Sequence, residues 1–125
     1  MSMIKKIEIS WLGKPADQDY AAAFSYLNLL YDKAAASALV KKLRSVAMAQ
    51  FKAKDIFRAS RLPLLGLNNF HVSKDQQKIK SKEKLSPILL LRDSQNGKVI
   101  IADGYHRMCA VYFYDEDAVI PCQIV

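Results

Sequence analysis

Five consecutive residues, Asp103-Gly104-Tyr105-His106-Arg107, set a carboxylate, an imidazole and a guanidinium around a glycine. A guanidinium stays charged and can hold a phosphate or carboxylate by two parallel hydrogen bonds. An imidazole titrates near neutrality, so His106 can donate to a phosphate or move a proton as a general acid or base. Asp103 offers a carboxylate as a second catalytic candidate or as a helix cap, and its side-chain oxygen suits the cap best. Gly104 allows a positive φ or a close backbone approach.

The elements around this group follow from the segment Lys98 to Val111, KVIIADGYHRMCAV. The β-branched run Val99-Ile100-Ile101 predicts a strand, Ala102-Asp103-Gly104 a tight turn, and the apolar spacing beyond it a helix. His106 and Arg107 then fall in the first helical turn, where free backbone N–H groups and the positive end of the dipole favour an anion. The pattern predicts a phosphate site made by Gly104, Tyr105, His106 and Arg107, with His106 and Asp103 as the catalytic candidates. The structural alternative for Arg107 is a salt bridge to Asp103 or to the acidic cluster at 115–117.

Upstream, Ile7, Ile9 and Trp11 alternate with polar residues and predict a half-buried strand ended by Gly13 and Pro15. Tyr20, Phe24, Leu27 and Tyr31 recur at helical spacing, as a core stripe or a homodimer seam, and a second helix carries Ala35, Leu39, Leu43 and Val46. From Phe51 to Arg61 a strand entry leads into a short helix, which Leu62-Pro63 breaks. Asn68-Asn69-Phe70-His71 reads as loop and Asp75 to Lys82 as a short polar helix. Ile88 to Arg92 is apolar on both faces and so predicts a central strand. Asp93 to Gly97 supplies hairpin chemistry that returns the chain as Val99 to Ala102. Asp115-Glu116-Asp117 separates the helix from a last strand. The fold class expected is α+β, a small mixed sheet with packed helices, in one domain over 1–125.

Composition narrows the function. With 51% hydrophobic and 25% charged residues the chain is globular. It has no apolar run of ~18 residues, which argues against a membrane partner. MSMIKKIEIS lacks the apolar stretch of a secretory signal, so a cytoplasmic location is expected. Cys109 and Cys122, both in apolar surroundings, fit thiols used as small hydrophobes; their spacing with His71 or His106 matches no zinc pattern, and no metal site is expected. The net charge of +7 is uneven: twelve Lys or Arg lie between Lys41 and Lys84 against Asp55, Asp75 and Glu83. Such a stretch suits a polyanion or is simply a solvated face. If nucleic acid binds, Arg58, Arg61, Lys78, Lys80 and Lys82 are its phosphate contacts.

The segment from about Phe51 to Val125 resembles the ParB/sulfiredoxin-like domain. The marks are Lys54-Asp55-Ile56, Leu85-Ser86-Pro87-Ile88, the turn Asp103-Gly104-Tyr105-His106-Arg107 with Ala110 following, and Ile120-Pro121-Cys122-Gln123-Ile124-Val125. The resemblance implies a strand that delivers a phosphate-binding turn to a helix, with residues 1–50 as an N-terminal strand plus helical addition outside it. Sulfiredoxins carry their catalytic cysteine between the glycine and the His-Arg pair. Tyr105 stands there, so sulfinic acid reduction is not expected. ParB proteins bind CTP phosphates with a related turn and carry a helix-turn-helix domain after it; the eighteen residues that follow Arg107 leave no room for one, so chromosome partitioning is not expected either. In such domains the region of His71 and Lys74 approaches the nucleotide, although a plain loop histidine is the simpler reading. The resulting expectation is a ParB-like protein that binds a nucleotide or other phosphate-bearing ligand at the Gly104 to Arg107 turn, Mg²⁺ accompanying a triphosphate, with phosphoryl hydrolysis as a further step. The alternative is a nucleic-acid-binding module or weak nuclease using the basic 41–84 face.

Overall fold

The computed structural model describes residues 8 to 125. Its order is α1 (Asp17–Leu30), α2 (Lys33–Ser45), β1 (Ala49–Lys52), α3 (Ala53–Ser60), α4 (Phe70–Lys80), β2 (Ile88–Asp93), β3 (Lys98–Asp103), α5 (Tyr105–Tyr114) and β4 (Val119–Ile124). The class is α+β. The four strands lie in the order β1-β4-β2-β3. β2 runs parallel to β4, and the two outer pairings are antiparallel, so the sheet is mixed.

The packing of β2 explains why its first four residues, Ile88 to Leu91, are all apolar. Ile88 and Leu90 point into one core with Ile56 of α3, Val72 and Ile79 of α4, and Met108 and Val111 of α5. Leu89 and Leu91 point into a second core with Tyr20, Ala23 and Leu27 of α1 and Val40 and Leu43 of α2. A strand covered by helices on both faces has no polar side to show. The expected central strand, the hairpin into β3 and the strand-to-helix step after Phe51 are all present. Asp32 separates the first two helices by accepting a hydrogen bond from the Ala35 amide at 2.8 Å.

Three expectations need correction. The N-terminal strand reduces, among the described residues, to one bridge from Trp11 to Leu85, and Ile7 lies outside those residues. The stripe on α1 is core only in part: Tyr20 and Leu27 are buried, whereas Tyr31 is exposed after the helix has ended. Most consequential, the stretch at Asn68 to His71 is no plain loop. Asn69 caps α4, its side chain accepting from the amides of His71 (3.0 Å) and Val72 (3.2 Å), so the helix starts at Phe70 and not at Asp75.

Candidate functional site

β3 ends beside the start of β2, and a bulge there, where pairing jumps from Leu89–Asp103 to Leu90–Ile101, bends the strand just ahead of the turn. Gly104 is the N-cap of α5 with φ of 108°, and a β-carbon at that position would lie 2.3 Å from Ile88 Cγ2. Only glycine fits the conformation and the contact together. Asp103 is therefore not the cap, contrary to expectation. Its carboxylate instead accepts a hydrogen bond from Arg107 Nη2 at 2.9 Å.

Arg107 is held on several sides. Nη2 also reaches the Pro87 carbonyl at 3.3 Å, and Nη1 lies 3.8 Å from Asp19 Oδ1. Asp19 is buried, and its other oxygen accepts from Ser86 Oγ and from the Ala16 amide at 2.9 Å. The helical addition thus sends a carboxylate through to the turn, which nothing in the local sequence signals. The Arg107 side chain is 16% exposed, and its Nε is buried without a hydrogen-bond partner among the described residues.

α4 forms the opposite wall. His71, Lys74, Asp75 and Lys78 are spaced i, i+3, i+4, i+7, one face of a helix, and all four line a cavity of about 200 Å³ together with Asp103, Gly104, His106 and Arg107. Val72 and Ile79 anchor the other side of α4 in the core, and buried Gln76 donates to the Ala110 carbonyl of α5 at 2.8 Å. The ring of His71 lies 4.8 Å from that of His106, centroid to centroid. Among the described residues Lys74 and Lys78 make no ion pair. This face escapes notice when the helix is started at Asp75; the Asn69 cap was the available signal.

Burial, then the neighbouring His71, holds the His106 imidazole below its ordinary value. Burial pushes the carboxyls of Asp75 and Asp103 up, and in both cases the Arg107 charge opposes it. His106 is thus disposed to be a neutral proton acceptor near pH 7. Both cysteines are buried with their thiols pushed up by burial, Cys122 to about 11, so neither is an activated nucleophile.

The remaining expected residues scatter. Tyr105 does not line the cavity; its hydroxyl donates to the Pro63 carbonyl and ties the 62–68 segment to α5. Arg58 pairs with Asp55 at 3.4 Å, and Arg61 donates to the Gly97 carbonyl at 3.2 Å. Lys80 and Lys82 are exposed near the end of α4 and lie outside the cavity, whereas Lys78 is within it. Among the described residues no group of three or more His, Cys, Asp or Glu could hold a metal ion, and no helix is long and apolar enough to cross a membrane. Comparisons with protein-family models, curated proteins and solved structures find no match for this chain.

Proposed function

We propose that this protein binds a phosphate-bearing ligand, a nucleotide in the first instance, in the cavity between α4 and the start of α5, as the ParB-like turn implies. One observation carries the reading: Lys74, Lys78, Arg107, both histidines and the N-terminus of α5 converge on one polar cavity. At about 200 Å³ the cavity is smaller than the roughly 300–1,000 Å³ of sites that enclose drug-sized ligands. It suits a phosphoryl group, with the rest of the ligand outside.

The roles differ from those the motif suggests. Arg107 Nη2 is taken by Asp103 and Pro87 and Nη1 is paired with Asp19 at 3.8 Å, so the arginine sets the inner wall and Lys74 and Lys78 meet the ligand's charge. First-turn amides of α5 add donors. If hydrolysis follows, His106 is the base for water, and Asp103 acts through Arg107 as a positioning residue. No metal site is built from these side chains, so Mg²⁺ would arrive on the ligand's own phosphates.

The test is a thermal-shift titration with ATP, CTP, GTP and their diphosphates, with and without Mg²⁺, on the unaltered protein and on Lys74→Ala/Lys78→Ala. A ligand at ~100 times its dissociation constant stabilises the fold by ~2.7 kcal/mol, several degrees for a domain of this size. A shift that the double variant loses supports the reading. No shift at millimolar ligand, with retention of DNA or RNA that weakens steeply with salt, favours the basic face instead.

A further inference from the structure

The chain contains two histidines, and the fold brings both to the same cavity with their rings 4.8 Å apart. His71 comes from the first turn of α4 and His106 from the first turn of α5. The charged groups facing them are Lys74, Asp75 and Lys78 from α4, Asp103 from β3 and Arg107 from α5, with Asp19 of α1 behind Arg107. Phe70 and Tyr105 flank the ring pair and carry no charge. Three cations, Lys74, Lys78 and Arg107, thus line the cavity with two carboxyls, Asp75 and Asp103, and Asp19 backs Arg107 from behind. With neutral imidazoles the wall offers little net charge to a dianion.

We propose that the site takes a terminal phosphomonoester dianion together with one proton, which the His71–His106 pair holds. The inference rests on the anion-site reading above and adds its ligand class and its proton linkage. A single proton is expected because two imidazolium rings in contact repel. A phosphodiester carries one charge and draws the proton less strongly, so the site selects a phosphate end over a nucleic-acid backbone. Burial keeps His106 short of its proton in the empty site, which leaves it one to gain. Asp75 and Asp103, pushed up by the same burial, are the competing acceptors that a test must separate.

Sulfate is the probe, because it stays a dianion across the histidine range and any pH dependence then belongs to the protein. Its affinity, measured by calorimetry at fixed ionic strength from pH 5.5 to 8, is expected to fall by up to about tenfold per pH unit as the imidazoles lose their proton. The slope should vanish in His71→Gln/His106→Gln. In the unaltered protein the His106 ring signals in NMR should titrate at higher pH when sulfate is bound, a readout that does not depend on the variant's folding. Methyl phosphate should bind at least tenfold more tightly than dimethyl phosphate at pH 7. Flat sulfate affinity, or a slope that survives in the double variant, overturns the histidine linkage while the anion site stands. Equal binding of the two methyl esters overturns the selectivity. Absence of sulfate and inorganic phosphate binding at every pH overturns both this inference and the reading beneath it.

Discussion

The two walls of the cavity are built on opposite principles. The inner wall, around Arg107, is self-compensated: the guanidinium meets Asp103 at 2.9 Å, Asp19 at 3.8 Å and the Pro87 carbonyl at 3.3 Å. The outer wall, on α4, presents Lys74 and Lys78 without ion pairs among the described residues, and His71 against His106. A cation in the first turn of a helix opposes the dipole. Two carboxylates, one brought from α1, make that position tolerable for Arg107. The residue that most resembles a functional motif is therefore the one most fully committed to the fold, and the available charge lies on a helix whose sequence looks ordinary.

If the inner wall is structural, breaking it should cost stability first. The largest effect is expected for Gly104→Ala, which combines strain at φ of 108° with a β-carbon 2.3 Å from Ile88 Cγ2. Strain of ~1–3 kcal/mol and overpacking of similar size together predict a loss of about 4 kcal/mol, read by chemical denaturation. Arg107→Met comes next, at about 3 kcal/mol, because Asp19 and Asp103 are left buried without their cation. Its signature is in the pH dependence. Burial already pushes the Asp103 carboxyl up against the pull of Arg107, and without that pull it rises further; a carboxyl raised in this way costs no stability while protonated and destabilises the fold as pH rises through its folded pKa. The deficit should accordingly shrink on acidification from pH 7 toward 4. A deficit that stays constant over that range would show that Arg107 acts by packing alone.

The outer wall should respond in binding and not in stability. Lys78→Ala is expected to weaken phosphate binding by about tenfold, close to 1.4 kcal/mol, and to leave unfolding within ~0.5 kcal/mol of the parent. Lys80→Ala, on the same helix but outside the cavity, should change neither. Equal losses from the two substitutions would erase the distinction between a built site and a diffuse basic face.

The same contrast explains what the sequence made legible. Local patterns were dependable: β2 is apolar on both faces and central, Asp93 to Gly97 closes the hairpin, and Gly104 opens α5. The salt bridge from Arg107 to Asp103 was visible as an alternative because the two share a helical turn. Asp19 was not, since only the packing of α1 across the sheet brings it to Arg107. Turn-rich composition hid the start of α4: Asn68-Asn69 reads as loop until the second asparagine is recognised as a cap, so His71 and Lys74 are not seen to share one helix face with Asp75 and Lys78.

That cap supplies the smallest and most specific test of the two-wall description. Asn69→Ala removes the acceptor for the amides of His71 and Val72 and should cost about 1 kcal/mol of stability. The loss should be local. Val72 is buried and holds its turn in place, whereas His71 and Phe70 are exposed and depend on the cap and their ring contacts. Fraying is therefore expected to take His71 away from His106 and to relieve its downward pull on the His106 imidazole, while the Arg107 corner is unchanged. Asn69→Ser, which keeps a capping oxygen, should restore most of the stability and the coupling. If Asn69→Ala leaves the His106 titration as it was, the outer wall is as rigid as the inner one, and the contrast between them fails.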